Sequence, residues 1–123
     1  MTYLQLNFTE IFEKYPQSVE KIIQWFASRE DLLTYIKREN PTANILQIMN
    51  EMVPMIIQHD PRKLYEFFDS LNIIISVYQD AHSGNFVWTN SKFHYSSSAD
   101  NRIDGEHAAF MSAFDYLENN IEG

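Results

Sequence analysis

Residues 73 to 78 are Ile-Ile-Ile-Ser-Val-Tyr, and this stretch decides the fold. Before it, apolar residues recur every three or four positions, the spacing that lines one face of a helix. Within it they alternate, so that Ile73, Ile75 and Val77 share one face, as in a strand. The change of period from 3.6 to 2 predicts that a helical first half gives way here to a β-sheet.

Two more strands are predicted after this one. Residues 80 to 84 are rich in turn formers, and the apolar residues 86 to 88 with Thr89 follow them. Phe93 to Tyr95 form a third short stretch, whereas the polar run 96–101 is interpreted as a loop. The sequence thus predicts a three-stranded antiparallel meander, with strands at about 73–79, 85–89 and 92–96.

About five helices are predicted before the sheet, and the second is marked by Val19, Ile22, Ile23 and Phe26 at helical spacing. A third helix is expected to start at Ser28, because a carboxylate three residues later completes the pattern of a capping box.

Two prolines mark the next helices. Pro54 lies within an apolar stripe that runs from residue 44 to residue 57, so we expect a kink or a break there. Asp60 followed by Pro61 predicts the start of a further helix, which runs to about Leu71.

A last helix is predicted at about 105–121, with Asp104 as its N-cap and an apolar side that packs on the sheet. Helices clustered before and after an antiparallel meander define the α+β class. A length of 123 residues fits one domain, covering residues 1–123.

The composition is acidic and contains no cysteine. Nine Lys and Arg against seventeen Asp and Glu give a net charge of −8, which disfavours direct binding to nucleic acid. The absence of cysteine excludes disulfides, thiolate metal sites and a thiol nucleophile, and it indicates a cytoplasmic location. No apolar run approaches the length of a spanning helix, so no membrane association is predicted.

Much of the negative charge lies near the end of the sequence. Residues 93–123 hold six acids and one base, a net charge of −5. An acidic helix face can simply be solvated, or it can bind a basic partner. The acids are Asp100, Asp104, Glu106, Asp115, Glu118 and Glu122, and the base is Arg102.

No catalytic residue and no cofactor are predicted. Glycines are isolated, and neither a Gly-x-Ser-x-Gly nor a Ser-x-x-Lys motif is present. Asp80 and His82, at a spacing that can place two ligands on one metal, could meet His94 and His107 if the hairpin packs on the last helix. The alternative is a self-capped turn aspartate with solvated histidines, and His107 at a helix start.

Aromatic residues are concentrated on the two later predicted strands. Trp88, Phe93 and Tyr95, with Phe86, could form a base-stacking platform or a peptide-binding surface. The alternative is that they pack in the core beneath the last helix. Only two basic residues follow residue 80, so the charge needed for base stacking is weak.

Residues 102 to 118 form an Ala/Phe-rich helical pattern after a polar hairpin. This stretch resembles the ends of small uncharacterised proteins from bacterial prophages and mobile elements. The resemblance implies an intracellular bacterial accessory protein and supplies no catalytic residue. It is carried by Glu106, Ala108, Ala109, Phe110, Ala113, Phe114 and Leu117.

Three functions follow as hypotheses. The first is a non-enzymatic module that binds another protein, favoured by the missing catalytic motifs. The second is a small metal-dependent hydrolase that uses the hairpin histidines, and the third is an acidic mimic of nucleic acid that inhibits a DNA-binding protein. An exposed sheet edge could also pair two copies of the chain into a homodimer.

Overall fold

The structure is a computed structural model that describes residues 4, 6–42, 44–93 and 96–120. Within these residues, five helices precede a three-stranded antiparallel sheet and a sixth helix follows it, which confirms the predicted α+β class. In that part of the chain, no helix is long and apolar enough to cross a membrane. The elements are α1 (Phe8–Lys14), α2 (Pro16–Ala27), α3 (Glu30–Glu39), α4 (Ile45–His59), α5 (Lys63–Ser70), β1 (Ile75–Gln79), β2 (Phe86–Asn90), β3 (Ser96–Ala99) and α6 (Arg102–Asn120).

The sheet has the order β1-β2-β3, and α6 packs on one of its faces. Val77 lies opposite Trp88, and Trp88 lies opposite Ser97, so these three residues share a face. Gly105 allows α6 to approach that face closely, because a Cβ added there would lie 3.2 Å from Cγ1 of Val77.

The core lies on the other side of α6, between α6 and the N-terminal helices. Phe68 of α5 stacks edge-on against Phe114 of α6 with ring centroids 5.1 Å apart, and Tyr65 meets Phe110 at 4.9 Å. These phenylalanines are fully buried, as are Ile22 of α2 and its neighbours in the core. Helix α6 therefore lies between the sheet and the helical half.

The predicted position of the third strand is wrong. Of the described residues in 92–96, only Ser96 belongs to β3, while His94 and Tyr95 lie outside the part that the structure describes. A turn at Asn90 replaces the predicted start of the strand. The Asn90 carbonyl accepts from the Phe93 N–H at 2.9 Å, and its side-chain oxygen accepts from the Lys92 N–H at 2.9 Å. The serine run that composition assigned to a loop pairs with β2, because an edge strand needs backbone pairing more than apolar side chains.

The last helix begins earlier than predicted, at Arg102, and Asp104 is not its N-cap. Asn101 takes that role, since its side-chain oxygen accepts from the Asp104 N–H at 2.9 Å. The Asp104 carboxylate accepts in turn from the Asn101 amide at 3.0 Å, an arrangement like a capping box. Both residue types are good N-caps, and in the structure the earlier residue, Asn101, caps the helix.

Two other predicted helix starts are also wrong. Ser28 donates its hydroxyl to the carbonyl of Trp25 at 2.7 Å, so it closes α2, and α3 starts at Glu30 without a side-chain cap. Asp60 ends α4, with its N–H donating to Ile56 at 2.8 Å, and α5 starts only at Lys63. In both connections, the polar residue predicted to start a helix is instead the C-cap of the preceding helix.

Pro54 does not break α4, which runs from Ile45 to His59 around it. Its ring removes a single backbone hydrogen bond. Met49, Val53 and Ile57 are fully buried on the same helix, and their packing outweighs that loss.

Candidate functional site

An open groove of about 340 Å³ lies where α1, α2 and α4 meet. Its floor is made by Val19 and Ile23, which are buried, and its walls by Phe12 and Leu46, whose side chains are 53% and 56% exposed. Large apolar side chains that are half exposed and gathered round one concavity are typical of interaction sites. The residues that line the groove are Phe12, Pro16, Val19, Glu20, Ile23, Gln24, Leu46 and Asn50.

The groove lies over part of the hydrophobic core. Helix α1 ends at Lys14, and Pro16 occupies the first turn of α2, so the chain changes direction within two residues. Val19 and Ile23 belong to the buried core and also line the groove. The exposed side chains of Phe12 and Leu46 lie beside them.

The rim of the groove carries negative charge. Glu20 lines it directly, and no Lys or Arg is among the lining residues. Glu13 and Glu51 follow Phe12 and Asn50 in the sequence and are exposed, but neither lines the groove, and the exposed Lys21 follows Glu20 in the same way. Among the residues that the structure describes, Glu20 has no side-chain hydrogen bond or ion pair.

A second apolar patch lies on α4, around Met52, Met55 and Ile56, with His59 and Asp60 at its end. The concavity at this patch has a volume of about 330 Å³, and Met55 is 59% exposed. This patch is shallow and almost without polar groups, so it offers little to orient a ligand.

A third concavity of about 250 Å³ contains the predicted metal ligand His107. Here α1 contributes Glu10 and Lys14, and the Lys14 Nζ lies 5.3 Å from the centre of the Tyr15 ring. The Tyr15 hydroxyl donates to Asp115 at 2.7 Å. His107 thus faces α1, and its neighbours include a lysine.

Two other predicted metal ligands, Asp80 and His82, lie in the β1–β2 turn. The Asp80 carboxylate accepts from the His82 N–H at 3.2 Å and from the Ser83 hydroxyl at 2.9 Å, and these bonds lower its pKa. Across the described ranges, no three His, Cys, Asp or Glu residues are grouped so as to hold a metal. Because His94 lies outside those ranges, a site that includes it stays a prediction.

The predicted binding aromatics face α6 where they are described. Trp88 is half-buried against the core, on the sheet face that α6 covers. Phe93 is half-buried, and its ring meets Tyr116 of α6 edge-on at 6.3 Å. Tyr95 lies outside the described residues, so the binding role of this set stays a prediction.

The acidic residues of α6 are engaged inside the molecule. Glu106 is 2% exposed, and Arg62 donates to both of its oxygens, at 2.8 and 3.0 Å. The Tyr65 hydroxyl donates a further hydrogen bond at 3.1 Å. Burial, followed by the negative charge of Glu106, raises the pKa of Tyr65 above its ordinary value of 10.0.

Glu118, near the other end of α6, also accepts hydrogen bonds from within the molecule. It accepts from the Ser18 N–H at 2.9 Å and from the buried Ser18 hydroxyl at 3.0 Å, and from the Gln17 N–H at 3.3 Å. The N–H groups in the first turn of α2 have no partner within the helix, and the N-cap Tyr15 provides no side-chain acceptor for them. Glu118 therefore caps α2 from a distant element.

Sequence reasoning missed the groove because it followed the periodic faces. Leu46 lies beside the apolar stripe of α4 rather than on it, and Phe12 follows the buried Ile11. A signal for the groove was present in the sequence, because its helices carry more large apolar residues than one buried face needs.

No protein-family model, curated protein or solved structure matches this chain.

Proposed function

We propose that the protein is a non-enzymatic binding module that takes up a helical segment of another protein. The observation that carries this proposal is the groove between α1, α2 and α4, with its buried apolar floor and half-exposed Phe12 and Leu46 walls. Side chains form these walls, and a helix that inserts apolar side chains at helical spacing suits such a groove. An extended segment would instead need the free backbone groups of a sheet edge.

The charge of the molecule favours a different protein over a second copy as the occupant. Each copy carries −8, and the groove has a glutamate but no Lys or Arg among its lining residues. Two copies would bring like charges together at an open surface, which opposes association.

The proposed setting is the cytoplasm of a bacterium, where the module would be an accessory protein. The absence of cysteine supports a reducing compartment. The resemblance of residues 102 to 118 to prophage and mobile-element proteins supports the bacterial and accessory parts of the proposal.

The proposal can be tested with a synthetic helical peptide that has leucine on one face and glutamine on the other. We expect it to shift the backbone amide signals of Phe12, Val19, Ile23 and Leu46 in two-dimensional NMR spectra. Leu46→Ser removes one apolar wall and should weaken the binding about tenfold, since Leu46 is 56% exposed and binding can bury only about half of a side chain whose full burial contributes about 1.5–3 kcal/mol.

The matched control is Tyr78→Ser, which removes an equally exposed side chain, 52% against 56%, from the sheet. The control should bind the peptide like the unmodified protein. Signals that shift at another surface, or equal binding by the Leu46→Ser variant, would overturn the proposal. Phe12→Ser provides a second groove variant.

A homodimer through a sheet edge is a second proposal, supported by the composition of β3. Ser96 to Ala99 include no charged residue and no proline, the features that normally protect an edge. Two such strands could pair antiparallel without bringing charges together inside the pair. Sedimentation equilibrium should then show a dimer that Ser97→Lys dissociates, whereas a monomer at all concentrations would exclude it.

A further inference from the structure

The concavity between α1 and α6 combines a buried floor with charged walls. Ile11 and Tyr15 line it and are 3% and 2% exposed. Glu10 and Lys14 of α1 and His107 of α6 line it as well, and these three residues are exposed. No residue lines both this concavity and the groove, so the two are separate sites.

Glu10 and Lys14 bring opposite charges to this concavity from one side of α1. They are four residues apart, a spacing that places their Cβ atoms about 5–6 Å from each other. In the described part of the chain no ion pair joins them. Asp115 also attracts Lys14, but it accepts the Tyr15 hydroxyl at 2.7 Å and does not line the concavity.

The two signs of charge restrict the kind of ligand that fits. An anion would be attracted by Lys14 and repelled by Glu10, and a cation would meet the reverse, so neither gains much. A molecule with both charges can satisfy both side chains. Because these side chains are one helical turn apart, the two charges of the ligand have to lie close together, as when an ammonium and a carboxylate share one carbon atom.

We propose that this concavity binds a free α-amino acid with an apolar side chain. The ammonium meets Glu10 and the carboxylate meets Lys14. The apolar side chain packs on Ile11 and on Met111, which is half-buried in α6. From the facing helix, the His107 ring can donate a hydrogen bond to the carboxylate, since an imidazole keeps a donor in either protonation state.

The size of the concavity suits such a ligand. Its volume of about 250 Å³ lies just under the roughly 300–1,000 Å³ of pockets that hold drug-sized molecules. A molecule of the size of leucine is therefore appropriate. A ligand so small, held by exposed charges, should bind with a dissociation constant of about 1 mM.

The experiment compares L-leucine with two analogues that each lack one charge. Isocaproate keeps the carboxylate and the apolar chain, whereas isoamylamine keeps the ammonium and the chain. Each analogue should bind about two- to fivefold more weakly than L-leucine, because one exposed ion pair is lost. In two-dimensional NMR titrations of the full chain, L-leucine should shift the backbone amide signals of Glu10, Ile11, Lys14, His107 and Met111.

Two variants assign each charge of the ligand to one side chain. Glu10→Gln should bind L-leucine and isocaproate equally, because the ammonium then has no carboxylate to meet. Lys14→Met should bind L-leucine and isoamylamine equally. The matched controls are Glu13→Gln and Lys21→Met, which change exposed residues that do not line the concavity and should keep the preference for L-leucine.

The absence of shifts with L-leucine, shifts at another surface, or equal binding of the three ligands would overturn the inference. It would also be overturned if Glu10→Gln and Lys14→Met kept the preferences of the unmodified protein. The proposed function is tested separately, because the helical peptide reports on the groove and these small ligands report on the concavity between α1 and α6.

Discussion

Two groups of carboxylates in this chain have similar chemistry and opposite surroundings. On α6, Glu106 is buried under Arg62 and Tyr65, and Glu118 caps the start of α2. On the N-terminal helices, Glu13, Glu20 and Glu51 are exposed and bond to no described side chain, and Glu20 lines the apolar groove. The first group stabilises the fold, and the second contributes no side-chain bond to it.

The comparison teaches that a high density of acids in a sequence does not locate a binding surface. The region from residue 93 onward holds a net charge of −5 in sequence, yet its central acids are satisfied internally. The hypothesis of nucleic-acid mimicry needs exposed carboxylates in a row, and α6 uses Glu106 and Glu118 for other contacts. Local surroundings determine what a carboxylate can do.

The largest effect is expected for Arg62→Ala, which leaves the Glu106 carboxylate buried without its cation. Breaking a buried pair costs about 3–5 kcal/mol, and because Arg62 is itself 56% exposed we expect about 2–3 kcal/mol. Urea unfolding measures the loss. Adding Glu106→Gln removes the unpaired charge and should restore at least about 1 kcal/mol, so a double variant as unstable as the single one would contradict this role.

Glu118→Ala should have the next largest effect. The change removes the acceptor for Ser18 and Gln17 in the first turn of α2 and leaves the buried Ser18 hydroxyl without its partner. Loss of an N-cap costs about 0.5–2 kcal/mol, and we expect about 1–2 kcal/mol in chemical unfolding. Asn119→Ala at the adjacent, exposed position is the control, and an equal loss there would contradict capping.

Alkaline pH should reveal the Tyr65 contact. The pKa of the Tyr65 hydroxyl is raised in the folded state. The stability that this shift contributes is therefore complete below the ordinary pKa of 10.0 and is lost as the pH rises through the pKa of the folded state. Tyr65→Phe should cost about 1 kcal/mol at neutral pH and reduce the loss of stability above about pH 10. Tyr78→Phe at an exposed position is the control. An unchanged alkaline slope in Tyr65→Phe would contradict the prediction.

The smallest effect on stability is expected for the three exposed glutamates of the N-terminal helices. Replacing Glu13, Glu20 and Glu51 with glutamine removes no internal contact, so the free energy of unfolding should change by less than about 0.5 kcal/mol. Thermal unfolding of the variant checks this. A loss of stability as large as that of Glu118→Ala would show that these acids belong to the first group.

The elements were predictable where local spacing and burial agree. The i, i+3, i+4 pattern of α2 and the alternation of Ile73, Ile75 and Val77 both reflect one buried face, and the structure has a helix at the first and a strand from Ile75 onward at the second. The third strand was not predictable from composition, because Ser96 to Ala99 pair with β2 without an alternation of large apolar residues. Asn101 and Asp104 are both good caps by residue type, and the sequence does not rank one above the other.

The contacts of α6 could not be predicted because they join distant parts of the chain. No local pattern connects Glu106 to Arg62, or Glu118 to Ser18, and a glutamate at a helix start has an adequate local explanation. The groove has the same origin, since Phe12 and Leu46 come together only when α1 and α4 pack on α2.

The bond between Ser18 and Glu118 spans 100 residues, and this has a consequence during synthesis. A ribosome that adds about 5–20 residues per second needs about 5–20 s to make the intervening chain. For that time α2 has been made but lacks its capping carboxylate, and the apolar side that α6 later covers is open. The newborn helical half therefore exposes that apolar side to water until the last helix emerges.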